Sequence, residues 1–226
     1  MDKDKLLDLL KPDRETIDAT MRSELSSIDN SLLSEVIQHG IFNGGKRIRP
    51  MLTVLAARLC SPDAFSAAND SGQKVTQLFL LAIIFEYLHG ASLLHDDVID
   101  RADTRRGKPS ANALWGTTPV ILAGDYLHTR AMVLAGTAGN TRCLQTIGHA
   151  TAAMIEAEFL QMQNADHHNL SEKDYFDVLN GKTAALIAAA CKVGAIAAEG
   201  TEDQCQALES YGANLGVAFQ VVDDLL

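Results

Sequence analysis

This chain has little of several things, and each shortage excludes something. Aromatic residues make up only 5% of it, with a single tryptophan, Trp115. Nineteen lysines and arginines stand against twenty-nine aspartates and glutamates, a net charge of −10. A surface of that sign repels nucleic acid and anionic membrane over most of its extent, so no nucleic-acid partner is expected. The four cysteines, Cys60, Cys143, Cys191 and Cys205, form neither a C-x-x-C pair nor a zinc-ligand spacing, and read as reduced thiols of a cytoplasmic protein. The longest stretch free of charged residues, Pro109 to Gly124, is broken by Pro119 and falls short of the ~18 residues of a membrane span, so no transmembrane segment is expected. Met1 to Lys5 is too charged to open a secretory signal. Strand-like alternation is missing throughout.

What is present reads as helix. No proline follows Pro119, and Ala, Leu, Glu, Gln and Met are frequent there. Helices are expected over about 12–38, 50–60, 75–100, 118–137, 140–164, 171–180, 182–199, 202–212 and from about 213 onward. Ser61 to Gly72 reads as a surface loop, and no linker or repeat divides the chain, so residues 1–226 form one all-α domain. Val75 to Asp100 carries Leu78, Leu81, Ala82, Phe85, Leu88 and Leu93 on nearly every turn. Such a helix is apolar on most sides and belongs at the centre of a ring of others.

Chemistry concentrates at a few places. Asp96 and Asp100 share a helix face at the end of that apolar helix, with Asp97 beside them, where the helix dipole already disfavours negative charge. A hard divalent cation would compensate, since Mg2+ takes one or two carboxylates and completes its shell with substrate phosphate. Directly afterwards come Arg101, Arg105, Arg106 and Lys108, a pattern that suits a metal diphosphate held from both sides. The bland alternative is a solvated acidic helix end followed by a salt-bridged loop. Upstream, Asn43-Gly44-Gly45-Lys46-Arg47-Ile48-Arg49-Pro50 places glycines and cations before a helix that Pro50 would open at its first position, an anion site. Gly181-Lys182-Thr183 opens an alanine-rich helix but lacks the glycine run of a P-loop, so nucleotide binding is rejected. Phe219-Gln220-Val221-Val222-Asp223-Asp224 supplies a second acidic pair, suggesting two acidic walls that share more than one metal ion. His89 lies seven residues before Asp96 on the same face, where a lone histidine is ordinarily a satisfied core residue. His39, His95, His128 and His149 carry no functional expectation, and His167-His168 reads as a solvated loop.

GGKRIRP, LLHDDVIDRADTRRGKPSAN, GKT and FQVVDD, in that order, resemble the trans-type polyprenyl diphosphate synthases from about residue 35 onward. The resemblance implies an isoprenoid synthase-type helical bundle around a deep central cavity, two or three Mg2+ ions per site, and a homodimer. It implies that Asp96, Asp100 and Asp223 hold metal, with Asp97 in support, so that with Lys182 these form the catalytic group. Arg105, Lys182, Thr183 and Gln220 would hold an allylic diphosphate, and Lys46, Arg49, His89 and Arg106 isopentenyl diphosphate. The reaction would be ionisation of the allylic diphosphate, attack by the isopentenyl double bond and proton loss, with no nucleophile required and apolar walls excluding water. Ala91 and Ser92, five and four residues before Asp96, match positions that set product length, and both are small. Growth past them towards Leu88, Tyr87 and Ile84, to a medium or long octaprenyl-like product, is the expectation.

A short-chain farnesyl or geranylgeranyl synthase and a subunit of a heteromeric synthase are the alternatives. A terpene cyclase would not need GGKRIRP or His89. The resemblance also makes the length look short, with the second acidic motif stopping one residue early and further C-terminal helices expected.

Overall fold

The computed structural model describes residues 3–65, 72–165 and 171–226; His167 and His168 lie outside them. Ten helices and one minimal hairpin are found among the described residues: α1 (Lys3–Leu25), α2 (Ser31–Phe42), α3 (Ile48–Cys60), α4 (Gln73–Ile99), β1 (Thr104–Arg105), β2 (Lys108–Pro109), α5 (Ala111–Trp115), α6 (Thr117–Ala138), α7 (Thr141–Ala165), α8 (Glu172–Leu179), α9 (Ala185–Ala197) and α10 (Glu202–Asp224). A π-helical turn, Asn180–Ala184, joins α8 to α9.

The expected centre is the observed one. Helix α4 packs against α1, α2, α3, α5, α6 and α9. Its Ile83, Ile84, Phe85, Tyr87 and Leu88 are completely buried, each contributing roughly 1.5–3 kcal/mol of apolar burial. By length and composition α4 is long and apolar enough to cross a membrane, with mean hydropathy 1.6 over its best window, of which 72% is buried inside the protein. Glu86 interrupts its otherwise apolar sequence. That carboxylate is neutralised internally, by Arg47 Nη1 at 2.6 Å.

Several boundaries differ from expectation, each for a local reason. Helix α1 runs through Pro12 instead of starting there. The expected helix 12–38 is two helices, because Asn30 caps α2 by accepting from the Leu33 N–H at 3.0 Å. Helix α3 begins at Ile48, so Pro50 is third in its first turn, where a missing N–H still costs nothing. Gly212 does not end a helix: α10 is continuous through it. A Cβ there would lie 2.7 Å from the Ala188 Cα, and one at Gly216 2.5 Å from the Ala184 Cα. These glycines permit α10 to lie close against α9 and the π turn. The hairpin over 104–109 is too short to leave any alternation in the sequence.

Candidate active site

The loop before α3, the first turn of α3, the hairpin, α4, α7, the π turn and α10 converge on one cavity of about 590 Å3. From the loop before α3 come Gly44, Gly45 and Lys46, from the first turn of α3 Arg49, from α4 Glu86, His89, Ser92 and Asp96, and from the hairpin Arg106. Helix α7 contributes Met154 and Glu158, the π turn Lys182 and Thr183, and α10 Phe219, Gln220 and Asp223. Four stretches far apart in sequence therefore meet as expected.

The cationic side rests on a buried foundation. Arg47, the residue before α3, has a left-handed backbone with φ 53° and is 5% exposed. Its guanidinium donates to Asp18 on α1 at 2.8 Å, to the Ile41 carbonyl ending α2 at 2.9 Å and to Glu86 on α4 at 2.6 Å. Burial opposes its charge, but Glu86 and Asp18 together hold it above the usual arginine range. This cross-link fixes where the glycine loop leaves α2. Gly44 and Gly45 carry φ of +108° and +124°, and a Cβ on Gly44 would meet the Arg106 Nη1 at 3.4 Å.

Above that foundation stand charges without carboxylate partners. Among the described residues, neither Lys46, Arg49 nor Arg106 is within ion-pair distance of an acid, and the Arg49 Nε is sealed from solvent with no hydrogen-bond partner at all. Burial pulls Arg49 below the usual arginine range, with Glu86 partly offsetting it. Burial and then the surrounding Arg49, Arg106, Arg105 and Arg47 hold His89 well below the usual histidine range, so its imidazole is neutral. A buried donor left unsatisfied in this way is costly and implies an acceptor that arrives from outside.

Opposite it, the charges answer one another. Lys182 reaches Glu158 at 2.6 Å and Gln161 at 2.8 Å. The Thr183 hydroxyl donates to Gln220 at 3.2 Å, and Gln220 donates to Asp224 at 2.8 Å. Burial raises the Asp96 carboxyl, with Glu158 and Asp100 adding to the rise against the pull of Lys182 and Arg105. Lys182 and Thr183 do not open a helix, because α8, the π turn and α9 run continuously; they act through side chains only. π-helical turns inside helices are frequent at functional sites.

Other expected residues are placed differently. Asp97 is 3% exposed and turned from the cavity, accepting from Arg105 Nε at 2.6 Å and the Ala111 N–H at 3.4 Å. Arg105 is thus engaged in anchoring the hairpin. Asp100 ends α4 as an exposed cap, near enough to Asp96 to influence it. Ser92 lines the cavity, whereas Ala91 is completely buried in the core with Leu88, Tyr87 and Ile84. Glu158, one of two acids in α7 with Glu156, belongs to no motif and leaves no signal in the sequence.

Among the described residues, no group of three or more His, Cys, Asp or Glu side chains gathers as a metal site. The donors do suit a hard cation that shares its shell with a ligand: Asp96, Asp223 and Glu158 are carboxylates on one cavity, and burial, with Glu158 adding to it, raises Asp96. A second cavity of about 630 Å3 adjoins the first through Ser92, Asp96, Met154 and Glu158. It is lined mainly by apolar groups, with Ile99, Ile155, Phe159 and Met162 among them, and by His95 and His128.

Known proteins are similar to this chain in sequence and in fold. The chain is 36% identical over 226 residues to the octaprenyl diphosphate synthase of Escherichia coli, covering 100% of itself and 66% of that protein. A decaprenyl diphosphate synthase structure from Rhodobacter capsulatus matches 98% of the chain at 42% identity and a TM-score of 0.88, with 65% of that chain covered. A polyprenyl synthase structure from Caulobacter crescentus, complexed with calcium and isoprenyl diphosphate, matches 98% at 35% identity and a TM-score of 0.88, with 64% of that chain covered. The chain therefore spans just under two thirds of the length of the relatives it matches. With the polyprenyl synthetase pattern matching residues 30–226 and the same fold in the solved relatives, the chain belongs to the polyprenyl synthetase family.

Proposed function

We propose that the protein is a prenyltransferase that condenses isopentenyl diphosphate with an allylic diphosphate to build a medium or long all-trans polyprenyl diphosphate. The observation that carries this is the sealed, unpartnered Nε of Arg49 beside Lys46, Arg106 and a neutral His89. Three unpaired cations in a chain of net charge −10 call for a multiply charged anion, and a diphosphate supplies one with acceptor oxygens on every side. The calcium and isoprenyl diphosphate of the Caulobacter relative support the same reading.

Lys46, Arg49, His89 and Arg106 hold isopentenyl diphosphate in this account. Lys182, Thr183 and Gln220 hold the allylic diphosphate on the facing wall, with Arg105 close by, tied to Asp97. Asp96 and Asp223, with Asp100 at the rim, would hold Mg2+, which when bound neutralises the departing diphosphate and so favours breaking of the allylic C–O bond. Asp97 serves the site by fixing the hairpin. The neutral His89 donates to an anion without adding charge near the carbocation. Met154, Phe219 and Leu93 give the cavity apolar surface that excludes water from it. The adjoining apolar cavity receives the growing chain, past Ser92. The names of the Escherichia coli and Rhodobacter relatives support a longer product. A homodimer in the cytoplasm completes the reading, in keeping with four free cysteines.

Incubation of the purified protein with both diphosphates and Mg2+, followed by sizing of the products, tests this. The expected products exceed the primer by several isoprene units. No elongation at any Mg2+ concentration would refute the reading. Ser92→Phe should shorten the product; it is a cleaner probe than Ala91→Phe, which would overpack the core at a cost of about 1–3 kcal/mol.

A further inference from the structure

The hairpin that delivers Arg106 is too small to hold itself in place. Its two strands are two residues long and pair only Thr104 with Pro109 and Arg105 with Lys108. Its turn residues, Arg106 and Gly107, carry φ of 51° and 73°, a left-handed conformation that is unfavourable for arginine. An isolated ribbon of this size is unstable in water. Asp97 holds its first strand through Arg105. The second strand is held by a residue for which the sequence carried no expectation.

His39, in the last turn of α2, has Nε2 3.0 Å from the Pro109 carbonyl. A carbonyl only accepts, so Nε2 carries a proton and donates it there. Nδ1 then accepts from the Asn43 side-chain N–H at 2.8 Å. The Asn43 carbonyl oxygen accepts from Lys108 Nζ at 3.2 Å, which settles the orientation of that amide. Trp115 meets the imidazole edge-on, with ring centroids 5.1 Å apart and planes at 76°. One histidine therefore ties β2 to α2, through Pro109 directly and through Lys108 by way of Asn43. Arg106 precedes these residues by two and three positions, and its Nη1 lies along the Gly44–Gly45 backbone that follows α2.

Resting on the function proposed above, we infer that His39 is a positioning residue for Arg106: its clip on Pro109 sets the guanidinium where the isopentenyl diphosphate is held. His39 touches no substrate and acts only through the hairpin. Its loss leaves the Asp97–Arg105 tether in place, so the fold persists while the turn loosens.

Steady-state kinetics of the full chain with both diphosphates and Mg2+ test this. His39→Ala should raise the KM for isopentenyl diphosphate about tenfold, leaving kcat and the allylic KM within about twofold. His39→Gln, whose amide can still donate to Pro109, should restore that KM to within about threefold of wild type. In an Arg106→Ala background, His39→Ala should change nothing further, because residues acting through one contact are not additive. An unchanged KM, a fall in kcat with both KM values intact, or additivity with Arg106→Ala would each overturn the inference. Should circular dichroism show His39→Ala unfolded, Asn43→Ala takes its place: a rise of about threefold in the same KM supports the clip, and no rise overturns it. A wild type that elongates normally beside an indistinguishable His39→Ala refutes only the role of His39. A wild type that elongates nothing refutes the proposed function and this inference together.

Discussion

The two walls of the cavity are made in opposite ways. On the side of α2, α3 and the hairpin, Lys46, Arg49 and Arg106 face the cavity with no acid within ion-pair distance among the described residues, while Arg47 and Glu86 beside them are firmly paired. Arg47 is the clearest case, locked to Asp18, Ile41 and Glu86 so that Lys46 and Arg49 are carried into place. On the side of α7, the π turn and α10, most polar groups facing the cavity are paired with neighbours on the same wall: Lys182 with Glu158, Thr183 with Gln220, and Gln220 also with Asp224. The first wall has its charges set before any ligand arrives. The second must give up contacts within itself to bind. Preorganised charge acts at little cost of rearrangement, so the cationic wall should bind its anion without help, whereas the acidic wall needs a cation to turn it towards a diphosphate.

Substitutions can break that contrast. The largest effect is expected for Asp96→Ala, which removes the carboxylate that α4 sets beside Glu158 at the acidic side of the cavity: turnover should fall on the order of a thousandfold with an unchanged helical circular dichroism spectrum. Glu86→Leu attacks the foundation of the other wall instead. Leaving Arg47 buried without its main partner should cost about 3–5 kcal/mol, read as a fall in Tm on the order of 10 °C. The smallest effect sharpens the picture of His89. Its imidazole stays neutral in the folded protein but accepts a proton near its ordinary value of about 6.5 when unfolded. Below that pH the unfolded chain binds a proton that the folded one refuses, so stability falls with falling pH, by at most about 1.4 kcal/mol per unit from this group. His89→Gln should flatten the decline of Tm between about pH 6.5 and 5.5.

The contrast also explains what could be read from the residues beforehand. Helix α4 was visible because burial on all sides demands continuous apolar sequence, and its observed span, Gln73–Ile99, nearly matches the expected 75–100. The glycine-cation loop and the aspartate pairs stood out because unusual local chemistry leaves a local pattern. Pairing across the fold leaves none: nothing around Glu158 announces Lys182, nothing around Asp97 announces that it turns inward to Arg105, and nothing around His39 announces Pro109. The continuity of α10 through Gly212 depended on the backbone of α9 passing close by, and the π turn at Gly181 likewise hid that Lys182 lies inside a helical run.

Calorimetric titration of the full chain with each diphosphate, in Mg2+ and again in excess chelator, tests the division between the walls most directly. Isopentenyl diphosphate should bind with nearly the same affinity in both conditions, while allylic diphosphate binding should be lost in chelator. Loss of both on chelation, or retention of both, would contradict that division.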